Sequence, residues 1–341
     1  MKLSFQAIIV FFLLSNFLHA QNLPKFSGLM FGDYFYNLNH HNSAEEGMNG
    51  FQFRRIFITA DYSISEKFNT RFRIEADNIS LLNTSANKMN MWIKDAYLEW
   101  TDIFEGSSLF VGVSPTPAFE VSTRIWNHRF LEKTILDYNG IVSSRDMGVD
   151  LRGKLLSDGK IKYWFKIGNN ANSGPENNKQ KRFYGLLEFY PLNDFIITLY
   201  GDFTTLSSIY DNFSNSTKKT NSYVLTLFCN YKYNGFSAGL ETLLRNIKNG
   251  FQNNAQLTDL HTYGISLWAY YNLNNKFTLV SRYDFYDNNS KIHNDDYSLI
   301  ILAFDYKPAA RIHFAPNVEW KTYKNGSRDD VIPRLTFFWE F

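Results

Sequence analysis

Apolar and polar residues alternate with a period of two along most of this chain. Phe68, Thr70, Phe72, Ile74 and Ala76 share one face of a run whose other face is Asn69, Arg71, Arg73, Glu75 and Asp77. Met147, Val149 and Leu151 oppose Gly148, Asp150, Arg152 and Lys154, and Ile161, Tyr163, Phe165 and Ile167 oppose Lys162, Trp164 and Lys166. The chain closes in the same way: Leu335, Phe337, Trp339 and Phe341 alternate with Arg334, Thr336, Phe338 and Glu340. This is the period of a β-strand with different surroundings on its two faces. Such runs predict about sixteen strands, near residues 25–37, 51–63, 66–78, 90–101, 107–114, 145–156, 158–168, 181–192, 194–205, 219–232, 234–246, 262–273, 275–288, 295–307, 309–321 and 330–341. Some are less clean: Ser298 to Tyr306 is apolar on both faces, and Ile56 to Tyr62 is mixed.

The connections alternate between short and long. Leu156-Ser157-Asp158-Gly159, Pro191-Leu192-Asn193-Asp194, Lys232-Tyr233-Asn234-Gly235, Leu273-Asn274-Asn275 and Pro308-Ala309 are tight turns. Longer connections fall near 38–50, 79–89, 115–144, 169–180, 206–218, 247–261, 286–294 and 322–329, and most are rich in Asn, Ser, Asp, Lys and Gly. Every long connection at one end and every short one at the other is the rhythm of a transmembrane antiparallel β-barrel with an even strand number. A soluble β-sandwich has no reason to sort its loops in this way.

The N-terminus fits an exported barrel. Met1-Lys2 precedes the apolar run Ile8 to Leu14, and Leu18-His19-Ala20-Gln21 follows. One positive charge, an apolar core too short to span a bilayer and a small residue before the cut describe a signal peptide over residues 1–20, cleaved after Ala20. Residues 21–341 are then a single barrel domain, with no room expected before the first strand for a plug. Aromatic residues make up 18% of the chain, with 32 Phe and 21 Tyr, which suits lipid-facing positions and interfacial girdles. The formal charge of +2 singles out no partner, and nucleic acid is not expected. Cys229 is the one cysteine, so no internal disulfide is expected. No Gly-x-Ser-x-Gly motif and no metal-ligand spacing occurs, and His40-His41 reads as a solvated loop, so neither an enzyme nor a cofactor is expected.

About sixteen strands leave an aqueous channel unless something fills it. The wet faces carry many charges, among them Arg71, Arg73, Glu75, Asp95, Glu99, Asp150, Arg152, Arg282 and Glu319. The third long connection differs from the rest. Phe119, Ile125, Trp126, Phe130, Leu131, Ile135 and Leu136 are apolar and need burial, while Glu120, Arg124 and Arg129 carry charge. Folded inward, this loop narrows the lumen, and a constriction forms from Arg71, Arg73, Asp95, Glu99, Glu120, Arg124, Arg129, Arg145, Asp150 and Arg152. The function expected is passive diffusion of small hydrophilic solutes. An occluded structural or adhesive barrel is the alternative.

Two resemblances sharpen this reading. The last strand, with Leu335, Phe337, Trp339 and the terminal Phe341, resembles the C-terminal strand of bacterial outer-membrane barrels. That likeness implies recognition by the barrel-assembly machinery. Phe51 to Ala60 and Phe68 to Asp77 resemble the early strand pair of the phosphate-selective porin O and P family. So do Lys94-Asp95-Ala96-Tyr97-Leu98-Glu99-Trp100, the run Leu109 to Phe119, and Ser143-Ser144-Arg145-Asp146-Met147-Gly148-Val149. These matches lie in order over about residues 50–155. They imply a sixteen-stranded trimeric porin in the outer membrane, facing lipid outside and small solutes or anions within. The family's anion selectivity rests on a dense Arg/Lys ladder. Here Arg55, Arg71, Arg73 and Arg152 share their walls with Glu75, Asp77, Asp95, Glu99 and Asp150.

Overall fold

The computed structural model describes residues 23–79, 88–253 and 256–341. The signal peptide assigned to 1–20 lies outside the described residues, as does most of the connection assigned to 79–89. Among the described residues, sixteen antiparallel strands form one closed barrel in which each strand pairs with its sequence neighbours and the first pairs with the last. The strands are β1 Lys25–Tyr36, β2 Asn49–Ser63, β3 Phe68–Asp77, β4 Asn90–Phe104, β5 Ser107–Pro115, β6 Arg145–Lys154, β7 Ile161–Gly168 and β8 Arg182–Leu192. They continue as β9 Phe195–Asp211, β10 Ser216–Tyr233, β11 Phe236–Asn253, β12 Gln256–Asn272, β13 Phe277–Asp287, β14 Asp296–Ala309, β15 Ile312–Tyr323 and β16 Asp330–Glu340.

Burial is inverted relative to a water-soluble domain. Phe72, Leu98, Phe165, Leu199, Leu225, Leu267, Leu302 and Leu335 point outward and are exposed, while Glu75, Asp95, Asp150, Lys166, Arg282 and Asp284 point inward and are buried. An apolar exterior around a closed sheet is the surface of a barrel embedded in lipid, where every backbone polar group is satisfied by a neighbouring strand.

The closing seam is built from small residues under large ones. Phe341 exchanges backbone hydrogen bonds with Gly28, at 3.0 and 2.9 Å. A side chain at Gly28 would meet the Phe341 ring at 2.5 Å, and one at Gly32 would meet the Phe337 ring at 2.8 Å. Phe337 and Trp339 stack beside them and Phe53 meets both edge-on, with ring centroids 5.6–6.1 Å apart. The terminal aromatic strand therefore lies on a β1 track cleared by glycine.

Three expectations need correction. The connections assigned to 206–218 and 247–261 are largely strand, since β9 runs to Asp211, β10 starts at Ser216, β11 reaches Asn253 and β12 starts at Gln256. Alternation marks only the part of a strand with lipid on one face; beyond the bilayer the ladder continues with polar residues on both faces. Second, alternation is interrupted by bulges. Register shifts fall opposite Phe31/Gly32 in β2 and at Arg73/Ile74 opposite β4. Third, the inner face is not uniformly polar. From β8 to β14 it presents Tyr184, Leu186, Ile196, Val224, Phe228, Leu243, Trp268, Leu299 and Ile301 inward, all buried. That explains why Ser298 to Tyr306 is apolar on both faces: one faces lipid and the other faces a docked loop.

Candidate functional site

The docked segment is the third loop, between β5 and β6. Its apolar residues cannot face water, and they complete a cluster with the inner wall of β8–β14. A helix over Glu120–Trp126 presents Val121, Ser122 and Trp126 to that wall, and a short helix over Ile135–Tyr138 buries Ile135 and Leu136. Trp126 packs on Trp268 at 5.0 Å between centroids. Phe130 reaches further round the wall, 5.3 Å from Phe338 of β16 and 5.1 Å from His313 of β15.

Polar anchors fix the loop where it crosses. Ser122 donates to Glu241 at 2.7 Å. Arg282, held by Asp284, donates to the Lys133 carbonyl. Arg54 donates to the Leu131 carbonyl at 2.7 Å and pairs with Glu132 at 2.6 Å, while Arg334 stands 3.6 Å from the same carboxylate. A carboxylate shared between two guanidinium groups is satisfied despite its burial; removing a member of such a set leaves an uncompensated buried charge.

The loop thus fills the apolar half of the lumen and leaves a gap along the charged half. This gap is a cavity of about 490 Å³ between the loop and the inner faces of β1–β4, β15 and β16, reaching Lys307 and Ala310 at the end that carries the short turns. Its lining includes seven cationic side chains, Arg55, Arg73, Lys94, Arg124, Arg129, Arg145 and Lys307, against three carboxylates, Glu120, Asp137 and Glu340. The wall cations cover two buried acids. Glu75 is 2.7 Å from both Arg55 and Lys94. Asp95 is 3.2 Å from Arg73 and is hydrogen-bonded by Arg145. Four cations thus share two carboxylates, and Glu120, 3.7 Å from Arg145, adds a third. Phe57 orients the guanidinium groups from below, 4.6 Å from Arg55 and 4.9 Å from Arg73. Opposite, the loop contributes Arg124, loosely paired with Glu188 at 3.8 Å, and Arg129, 3.4 Å from Asp137.

Of the ten residues expected at a constriction, Arg73, Glu120, Arg124, Arg129 and Arg145 line this cavity, and Asp95 lies directly behind it. The others are elsewhere. Arg71 is nearer the short-turn end, in a bidentate pair with Asp61 at 2.7 and 3.0 Å. Glu99 stands beyond it, opposite Asn69. Asp150 is buried in a separate cluster with Lys166 and Ser114, and Arg152 stacks there between Phe110 and Trp164. Arg54 and Lys94 were not among the expected residues. Each sits at a bulge, so Arg54-Arg55 and Lys94-Asp95 both turn two consecutive charges inward. Adjacent charges in an otherwise alternating strand are the sequence signal of such a bulge.

No protein-family model and no curated protein sequence matches this chain. Solved structures do. OmpT of Vibrio cholerae, as a loop L8 deletion mutant, superposes with a TM-score of 0.66 at 14% identity, covering 93% of this chain and 99% of its own. The fold is that of the outer-membrane porins. The anion-selective porin from Comamonas acidovorans shares it with TM-score 0.65, 14% identity and coverage of 93% and 99%. The outer membrane channel DcaP of Acinetobacter baumannii gives TM-score 0.61, 12% identity and coverage of 93% and 97%. OmpT of Vibrio cholerae is also known in a trimer form. At these identities the likeness is one of porin fold. It supports the general porin resemblance of the sequence and not the narrower phosphate-selective one. Together with the outward apolar belt, it makes the chain an integral membrane β-barrel of porin architecture.

Proposed function

We propose that this protein is an outer-membrane channel for passive diffusion of small hydrophilic solutes, with a preference for anions, and not an enzyme. The observation that carries the proposal is the cavity beside the third loop, lined by seven cations and three carboxylates. Charges on a wet wall act through water and are screened within about 8 Å at physiological salt, so only several like charges around one narrow gap give useful selectivity. Arg55, Arg73, Lys94 and Arg145 on the wall face Arg124 and Arg129 on the loop, and because Glu75, Asp95 and Glu120 offset most of the wall charge, the preference is modest.

The test is single-channel recording of the folded protein in planar bilayers, with the reversal potential measured across a salt gradient. Open-channel conductance with an anion-selective reversal potential is expected; cation selectivity would overturn the preference. Block by millimolar phosphate would favour the phosphate-selective reading, as would its loss in Arg73→Ala but not in Arg71→Ala. The occluded-barrel alternative draws on one observation, the burial of the loop's apolar residues across the lumen. It requires zero conductance. We further propose a homotrimer, in line with the trimer form of OmpT, and delivery by the barrel-assembly machinery through Leu335, Phe337, Trp339 and Phe341.

A further inference from the structure

The first outer loop carries a cluster that diffusion through the lumen does not use. His40 and His41 follow β1, and Asp330 opens β16. Closure of the barrel pairs β1 with β16, and the Asn39–Val331 bridge carries the loop over that seam. Residues 289 positions apart therefore meet. Nδ1 of His41 lies 2.8 Å from Oδ1 of Asp330. Nε2 of His40 lies 3.9 Å from the same oxygen and 3.5 Å from Oε2 of Glu45. One donor atom from each of His40, His41 and Asp330 falls within 4.8 Å of the other two. The solvated loop expected for the histidine pair is half true: His41 is exposed, whereas His40 and Asp330 are buried.

We propose that His40 Nε2, His41 Nδ1 and the Asp330 carboxylate bind a divalent late first-row metal ion of the zinc class at the outer mouth, with Glu45 or water as fourth ligand. Ligand atoms about 2.0–2.1 Å from a tetrahedral ion stand roughly 3.3 Å from one another. The His41–Asp330 and His40–Asp330 separations of 2.8 and 3.9 Å bracket that value, and the three donor atoms lie within 4.8 Å of one another, so side-chain movements complete the shell. The surroundings already orient the ligands. Nδ1 of His40 accepts from the Asn42 backbone N–H at 3.1 Å and stands 3.2 Å from the Asn42 carbonyl oxygen. Metal binding at Nε2 moves the ring proton to Nδ1, where that carbonyl is placed to accept it. Tyr323 donates to Oδ2 of Asp330 at 2.5 Å, and the His41 backbone N–H donates to Oδ1 at 2.7 Å, which fixes the carboxylate plane. Outer partners of this kind hold imidazole and carboxylate ligands in metal sites. Two imidazoles in a shell of three or four donors favour zinc, nickel or copper over magnesium or calcium, which take oxygen. A bound ion would tie the first loop to β16 across the closing seam.

The experiment uses tag-free protein purified in detergent from outer membranes, titrated calorimetrically with zinc chloride in excess magnesium. One saturable site per chain of micromolar affinity is expected, weakened at least tenfold in His40→Ala and in Asp330→Asn. Because His41 is exposed, His41→Ala keeps the barrel intact, as heat-modifiable gel mobility verifies. In that variant zinc should lose its affinity and no longer raise the unfolding temperature. Absence of saturable zinc binding, wild-type affinity in folded His41→Ala, or equal stabilisation by magnesium alone would each overturn the site.

Discussion

Reversing one charge on the third-loop helix should shift ion selectivity by a calculable amount. Arg124 lines the cavity from the loop, its side chain is 62% exposed, and its ion-pair partner Glu188 is 3.8 Å away. Arg124→Glu therefore changes the local charge by two units with little effect on packing. An ion passing at about 6 Å through water feels about 0.7 kcal/mol per unit charge, cut to about 0.3 kcal/mol by physiological salt. Two units move an anion by about 0.6 kcal/mol and a cation by the same amount in the opposite sense, about 1.3 kcal/mol between them. That corresponds to roughly a tenfold fall in the anion-to-cation permeability ratio, since 1.4 kcal/mol is a factor of ten. Reversal potentials of wild type and variant, recorded in bilayers under the same salt gradient, measure it. Arg71→Glu is the control, because Arg71 lies outside the cavity lining and is paired with Asp61. A ratio within about twofold of wild type in folded Arg124→Glu, on the same arithmetic, would place the ion path away from the loop and refute the reasoning.

Deleting residues 120–132 should raise conductance several-fold while the barrel still folds; unchanged conductance would mean the loop does not set the narrow point. Glu132→Ala strips Arg54 and Arg334 of a shared buried partner, which should loosen the loop by about 3–5 kcal/mol and appear as open-channel noise and greater proteolysis between β5 and β6. Truncating Phe341, or placing valine at Gly28 where a side chain would meet the Phe341 ring at 2.5 Å and the Phe57 carbonyl at 2.8 Å, should lower the yield of heat-modifiable barrel in the membrane. Normal yields in both would show that the seam does not govern assembly.

The barrel was legible in the sequence because its cause is local. Lipid outside and water or protein inside impose a period of two on each strand independently, so Phe68 to Asp77 or Met147 to Lys154 declares itself without reference to any other segment. The inward third loop was legible for a related reason: Trp126, Phe130, Ile135 and Leu136 need burial, and a loop between membrane strands has the lumen to offer. Where the environment stops differing between the two faces, the signal stops too. That is why the outer parts of β9 to β12 looked like loops while their ladder continued.

The site depended on tertiary structure. Period-two alternation cannot show that a bulge turns both Arg54 and Arg55 inward, nor that Lys94 joins Asp95 on the wet side. Nor can it show depth along the axis, which separates Arg71 and Glu99 from Arg73 and Arg145. His40, His41 and Asp330 meet only because β1 closes on β16. Alternation along a strand is set by what each residue touches sideways, lipid or lumen, and is written into neighbouring positions. Which charges converge is set by register and closure around the whole ring, which join residues hundreds of positions apart and leave no mark on either segment alone.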